Sequence, residues 1–554
     1  MFSCSRVLVS SCPRRVRGGL GSLRVGRAVD RRRTETTTKV FIACTRVAFG
    51  SVPSVPLQLG RRLPAKCASQ RNSNQRFQHT FWGSRQSMSR KKSSSRDRVQ
   101  SSDSDSDEVA SPSKHSKSSQ PIVIFRTSLH NTIFDVMRSR TGWEETDSDT
   151  DWDINWASVG WVREFFDHVH MDDHQRINHF RNHYELTRKD LMVKNLKRMK
   201  RQLERTDTHA EASKYNFFPA TFVLPAEYGL FLEEFKRTPG STWIMKPVGS
   251  AQGKGIFLFN KLNQISDWKK DHKWKADGPQ AEAYVAQRYI ESPYLIGGKK
   301  FDMRLYLLVT SFSPLVCWLH RGGFCRFSDT TFTKDISKDI DNLYMHLTNH
   351  SIQKQSDEYE KGNDLKWSIR SLKVHLMTRH GKEKVEQAFY DIQLTMVRTL
   401  LAVQKTMIQD KHCFELYGYD IMLDSELNNW LIEVNASPSL SASNEDDYAL
   451  KYGMLDDMVD IIDVEGNRSG EDTRLGGFDL IWNNGPCEPN IPGRTPNAKA
   501  GKSGKAAGGS LSRSSAAIGV NHQLASVTPF SFLGCKIERD KVAPRGPPPK
   551  SKRR

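Results

Sequence analysis

From about residue 121 to 485, apolar and polar positions recur with recognisable periods, and outside that span the periods disappear. "STWIMKPV" (241–248), "GIFLF" (255–259), "AYVAQRYI" (283–290), "FDMRLYLLVTSF" (301–312) and "LVCWLH" (315–320) read as strands, being short β-branched and aromatic runs bounded by turn-forming residues. Residues 385–407 place apolar side chains at 385, 389, 392, 396, 400, 403 and 407, the spacing of an amphipathic helix. "ELTRKDLMVKNLKRMKRQLER" (185–205) is also helical in period, with Lys194, Lys197, Arg198, Lys200 and Arg201 on a basic face. Such a face is either simply solvated or a docking surface for an acidic partner. Upstream, Trp143, Trp152, Trp156 and Trp161 mark the core of a small domain.

Charge changes this picture only once it is located. The 554 residues carry a formal net charge of +20, which by itself points to nucleic acid. Residues 1–87 hold 17 Lys/Arg against 2 Asp/Glu, and residues 491–554 hold 13 against 2. Removing both ends from the totals leaves 53 basic and 59 acidic residues, so the patterned region is mildly acidic. A basic nucleic-acid-binding domain is therefore not expected. The leader 1–87 has transit-peptide composition, or is an upstream extension before a second start at Met88. Residues 88–120, rich in Ser and Asp, read as a disordered linker, and 486–554 as a disordered basic tail. The cysteines show no paired or zinc-type spacing, as expected of a reducing compartment. No apolar run is long enough to span a bilayer.

Three stretches carry candidate chemistry. "LYGYDIML" (416–423) and "WLIEVN" (430–435) flank the polar "DSELNN", the pattern of a hairpin. A turn centred there sets Asp420 opposite Glu433 and Gly418 opposite Asn435, with facing Cβ atoms about 5 Å apart. Two carboxylates and an amide oxygen suit Mg²⁺ completed by water and phosphate, or else the carboxylates share a proton or sit on an exposed edge. "WIMKPVGSAQGKGIFLF" runs from a strand ending near Lys246 through Gly249, Gly253, Lys254 and Gly255 into a second strand. Its backbone N–H groups could wrap an anion, although most glycine-rich hairpins are only turns. In "GGKKFDMRLYLL", Lys300, Asp302 and Arg304 alternate onto one strand face, a charged stripe among apolar residues. "HLTNHSIQK" adds Thr348 and Asn349. A cluster of His168, His170, Asp172, Asp173, His174 and His179 could ligate a metal, but it does not combine a helical i, i+4 histidine spacing with the carboxylate base of such a site.

Taken in order, Lys246, the glycine loop, "QRYI", "KFDMR", "HLTN", Asp420 and "EVN" resemble the ATP-grasp core of the tubulin tyrosine ligase-like family. "FRNHYELTRKDLMVKNLKR", "YIESPYLIGGKKFDMR" and "FELYGYD" resemble its polyglutamylase branch. The likeness covers about 121–485 and implies an α/β, ATP-grasp fold, with 121–205 as a small N-terminal domain and 206–485 as the central and C-terminal ligase domains. It implies that Lys246, Gln252 and Gly253 contact ATP, and that Gln287, Arg288, Tyr289 and Ile290 hold adenine. Lys300, Phe301 and Asp302 would line the nucleotide, and Thr348 and Asn349 would lie near it. Lys300 and Arg304 would act in catalysis, and Asp420, Glu433 and Asn435 would hold Mg²⁺. Ser250 departs from the family pattern, where relatives carry Arg.

The resemblance also implies the reaction: ATP activates an acceptor γ-carboxylate and the amine of free L-glutamate attacks it. The acceptor would be a glutamate side chain in an α- or β-tubulin tail, on microtubules in cytoplasm, cilium or flagellum. The need for accessory subunits stays open. An incoming glutamate brings a carboxylate that must find a cation, for which Arg326 is the first candidate and Lys366 the second. A glycine ligase on the same scaffold, or a non-catalytic microtubule binder, remains as a rival.

Overall fold

Parallel strands come first. β1 (Val123–Thr127) lies between β2 (Trp143–Glu145) and β3 (Ile154–Trp156), and β4 (Arg176–Ile177) continues from β3. The computed structural model describes residues 122–206, 208–265, 283–356, 366–436, 438–487 and 530–538. The expected leader, the Ser/Asp-rich linker and most of the basic tail lie outside these residues. Trp143, Trp152 and Trp156 are buried, as their clustering implied. Four short strands bury too little to make a core alone. Val123, Phe125, Trp143 and Trp156 instead share a cluster with Tyr306, Leu308, Trp318 and Met458.

The second sheet is antiparallel, in the order β5-β8-β6-β7, from β5 (Thr221–Leu224), β6 (Trp243–Pro247), β7 (Phe257–Phe259) and β8 (Tyr284–Arg288). Phe231 of the helix Tyr228–Arg237 packs beneath it against Trp243 and Phe259. Here the strand readings of "WIMKP", "FLF" and "YVAQR" hold.

The largest sheet has eight strands and supplies the other wall of the site. Its main path is β14 (Asn429–Asn435), β13 (Glu415–Leu423), β10 (Lys299–Phe312), β11 (Leu315–Phe327), β16 (Phe478–Asn483) and β15 (Arg474–Leu475). β9 (Leu295–Ile296) pairs with β10, and β12 (Lys366–Ser368) with β11. Alternation along β10 sends Phe301, Met303, Leu305, Leu307 and Val309 into the largest core. That core is completed by the helices Lys189–Arg205, Ile369–His380 and Lys382–Val403. The other face of β10 presents Lys300, Asp302 and Arg304, then Tyr306 and Leu308, which pack with the N-terminal sheet.

Two expectations need correction. The helix read from 385–407 spans Lys382–Val403 and is not one-sided, since every residue from Leu394 to Val403 is buried. It runs through the middle of the molecule, where a helix has no wet face. The tail is also not wholly unstructured. Phe530–Glu538 packs onto the fold, with Phe532 6% exposed and Leu533 fully buried. Among the described residues no helix is long and apolar enough to cross a membrane.

Candidate active site

The predicted hairpin forms as read. On β13 and β14, Asp420 faces Glu433 and Gly418 faces Asn435. Nearer the turn the register shifts, and Ile421 pairs with Leu431, so the extra residue Ile432 makes a bulge beside the carboxylates. A Cβ on Gly418 would meet Pro438 Cβ at 2.8 Å and Arg304 Cδ at 3.3 Å. The space left by the glycine thus admits the Arg304 side chain.

A cleft of about 810 Å³, part of it open to solvent, lies between the two antiparallel sheets. It brings together most of the expected residues: Lys246, Gln252, Gly253, the run Gln287 to Ile290, Lys300, Asp302, Arg326, Thr348, Asn349, Asp420 and Glu433. The glycine loop turns on Gln252 (φ 61°), Gly253 (φ 78°) and Gly255 (φ 71°). It is fastened by Ser351 Oγ donating to the Gln252 carbonyl at 3.1 Å. A side chain at Gly253 would run into Ile352.

Two buried ammonium groups line the cleft. Lys246 Nζ donates to Gln287 Oε1 at 2.7 Å, and Gln287 Nε2 in turn donates to Thr221. Lys300 Nζ lies 2.9 Å from Tyr289 Oη and 2.8 Å from the His346 carbonyl, over the Tyr289 ring. Burial lowers Lys246 to about 8, with Lys189 adding to the effect and the Glu433 and Asp420 carboxylates opposing it. Burial, then the nearby Lys246 charge, lowers Lys300 to about 7. Both are poised to gain from an arriving polyanion.

Beyond them, two guanidinium groups alternate with two carboxylates across β13, β10 and β11. Arg304 Nε donates to Asp420 Oδ1 at 2.5 Å, and Arg326 Nη2 to Asp420 Oδ2 at 2.7 Å. Arg326 also grips Asp302 through Nε at 2.8 Å and through Nη2. Burial works against the Asp420 charge, yet Arg304 and then Arg326 hold its carboxyl well below the usual carboxylate range. The set is neutral overall, as buried charges must be.

Several expected roles are altered by this geometry. Arg304 is paired with Asp420 and is not among the residues that line the cleft. Phe301 points to the opposite face of β10, where it packs against Phe327 and Tyr294. Arg288 N and Tyr289 N already donate to the Ala220 and Thr242 carbonyls, so the adenine hinge cannot rely on those two donors. Lys366 sits across from Arg326 on β12 but outside the cleft, 3.1 Å from Asp447, whose carboxylate Lys451 shares. Arg326, the first choice for the glutamate carboxylate, lines the cleft but already faces two protein carboxylates through Nε and Nη2, whereas two lysines share the single Asp447.

Two polar lining residues were not singled out from the sequence. Lys189, at the start of its helix, lies 3.3 Å from both Glu433 Oε2 and the Ser250 carbonyl. His346 joins Tyr289 Oη (2.9 Å) to the Asp339 carbonyl (3.0 Å), and burial followed by the Lys300 charge lowers it to about 4. Its place in "HLTN" was the available signal, whereas Lys189 looked like one more charge on a basic helix.

Among the described residues no group of three or more His, Cys, Asp or Glu could hold a metal. Three carboxylates line the cleft: Glu433, 24% exposed at its side chain, Asp420, and Asp302, which Arg326 grips; Asn435 Nδ2 donates to the Gly418 carbonyl at 3.2 Å. These are hard oxygen donors of the kind Mg²⁺ takes, one or two carboxylates plus water and phosphate, but both Asp420 oxygens are here held by Arg304 and Arg326. In the histidine stretch, His179 is buried on Glu415 at 3.0 Å, while His174 lies 3.4 Å from Asp153.

Residues 167–471 match the tubulin-tyrosine ligase family. The chain belongs to that family. It is 51% identical over 390 residues to the Bos taurus "Probable tubulin polyglutamylase TTLL9", covering 65% of this chain and 84% of the relative. The Caenorhabditis elegans "Probable tubulin polyglutamylase ttll-9" is 44% identical over 380 residues, covering 68% and 89%. The Tetrahymena thermophila "Probable alpha-tubulin polyglutamylase Ttll1" is 42% identical over 384 residues, covering 65% and 92%. The family is one of ligases, so an enzyme reading of the cleft replaces that of a pure binder.

Proposed function

We propose that the cleft is the active site of an ATP-grasp tubulin polyglutamylase, joining free L-glutamate to glutamate side chains of tubulin tails. The observation that carries this reading is the convergence of Lys246, Lys300 and the glycine loop on one wall with Asp420 and Glu433 on the other. The polyglutamylase names of relatives that the chain nearly spans supply the substrates and a cytoskeletal setting. Residence in a cilium or flagellum and dependence on accessory subunits extend the same reading.

In the first step an oxygen of the acceptor γ-carboxylate attacks the γ-phosphorus of ATP. The bond to the β,γ-bridging oxygen breaks, ADP leaves and an acylphosphate forms. The glutamate amine then attacks the acyl carbon, the carbon–oxygen bond to phosphate breaks, and the new amide nitrogen gives its proton to water. Lys246 and Lys300 balance the charge of the transferring phosphoryl group in a water-poor cleft. Arg304 fixes Asp420, and Gln287 through Ile290 with Thr348 and Asn349 orient the nucleotide. Bound Mg²⁺, held by Glu433, Asp420 and Asn435, would neutralise phosphate charge. Lys366, beside the cleft in the cluster with the positive excess, would receive the glutamate carboxylate next to Arg326.

Mass spectrometry of tubulin tails after incubation with enzyme, ATP and either glutamate or glycine tests this directly. Added glutamate residues, lost in a folded Glu433→Gln variant, are expected. Glycine addition, or turnover retained by that variant, would overturn it.

A further inference from the structure

We propose that Phe530–Glu538 is a detachable positioning element that fixes the β12 edge of the active site. The segment binds through backbone and side chain alike. The Ser531 and Leu533 carbonyls accept from Lys373 Nζ at 3.3 and 3.0 Å. Gly534 N donates to the Arg321 carbonyl at 2.8 Å. The guanidinium groups of Arg321 and Arg474 lie 5.9 and 5.5 Å from the centre of the Phe532 ring. Arg321 is itself held by both oxygens of Asp479 at 2.6 Å.

Lys373 is the pivot. Its side chain is 5% exposed; it donates to the two segment carbonyls and pairs by charge with Glu386 at 3.0 Å. Removing the segment would strip the buried ammonium of both carbonyl acceptors and leave it only its ion pair with Glu386, a cost that favours movement of the helix Ile369–His380. It would also open the apolar crevice between Leu394, Val397, Ile481 and Trp482 that Phe530 and Phe532 now close. This helix is capped by Ser368, the last residue of β12, whose hydroxyl accepts from Ser371 N at 3.0 Å. β12 in turn sets Lys366 opposite Arg326 of the cleft. Docking of the segment is thereby linked through one helix to the residues beside the site.

Gly534 offers a way to undock the segment without touching its aromatic residues. Its φ is +72°, and a Cβ there would lie 3.2 Å from the Ile369 carbonyl oxygen and from Lys373 Cβ. Hydrogen exchange should be measured on the full chain and on Gly534→Val, with and without a synthetic peptide of residues 526–538. Amides of 366–380 are expected to exchange about tenfold faster in the variant, with β10 and β13 unchanged and the peptide restoring protection. The variant should also show a raised KM for glutamate at unchanged KM for ATP, an arm that rests on the ligase reading above. Unchanged exchange at 366–380, or loss spread equally over β10 and β13 and not reversed by peptide, would overturn the inference. If the unaltered enzyme does not ligate glutamate, the functional reading fails while the exchange result still decides this one.

Discussion

Lys246 and Lys300 hold their protons loosely because burial disfavours the charged form. Their folded values, about 8 and about 7, lie below the ordinary 10.5. The free protein should therefore gain stability as pH rises from about 7 toward 10.5, where the unfolded chain binds more protons. Nucleotide binding should reverse the shift and take up protons. Calorimetry of ATP binding at pH 8 in buffers of different ionisation enthalpy should give a positive proton number, and a buffer-independent heat would contradict it. The glutamate pocket is tested by Lys366→Met, expected to raise the KM for glutamate about tenfold or more with ATP binding unchanged. An unchanged KM would remove Lys366 from that role. Arg326→Ala is a poorer probe, since it strands the Asp302 carboxylate and half the pairing of Asp420, costing about 3–5 kcal/mol. The stripe of Lys300, Asp302 and Arg304 was legible because strand alternation is strict. The pairing of Arg326 was not, because it depends on the register between β10 and β11, which only the folded hairpin fixes.

The glycine loop and the β13–β14 hairpin are the elements that make the cleft. Apolar runs around a polar turn were enough to place Asp420 against Glu433, whereas the bulge at Ile432 left no mark in composition. Gly253 bears on the loop's shape, having φ 78° and no room for a side chain beside Ile352. Gly253→Ala should raise the KM for ATP several-fold while the melting temperature moves by only a few degrees, since the strained position is on a surface loop. Normal ATP affinity in this variant would mean that the loop does not close on the nucleotide. The docked Phe530–Glu538 was overlooked because its "PFSFLG" lies within a long Gly-, Ser- and Pro-rich stretch whose average composition hides it.

Across the whole molecule, attraction to an anionic tail must come from local patches, because the patterned region is net acidic. The basic helix face offers less than its sequence implied. Lys197 is paired with Glu227, Arg198 donates to Thr406 and Lys200 to Asn216. Lys194 and Arg201 remain exposed on it. Reversing both, Lys194→Glu with Arg201→Glu, should raise the apparent KM for microtubules several-fold at low salt and little at high salt. Unchanged binding at low salt would place docking elsewhere. The most direct test of ATP-driven carboxylate activation is isotopic: tubulin with heavy oxygen in its tail carboxylates is incubated with enzyme, ATP and glutamate, and the released phosphate is weighed. One heavy oxygen in phosphate for each amide formed is the expected result. Phosphate without heavy oxygen, or ATP split to AMP and pyrophosphate, would contradict it.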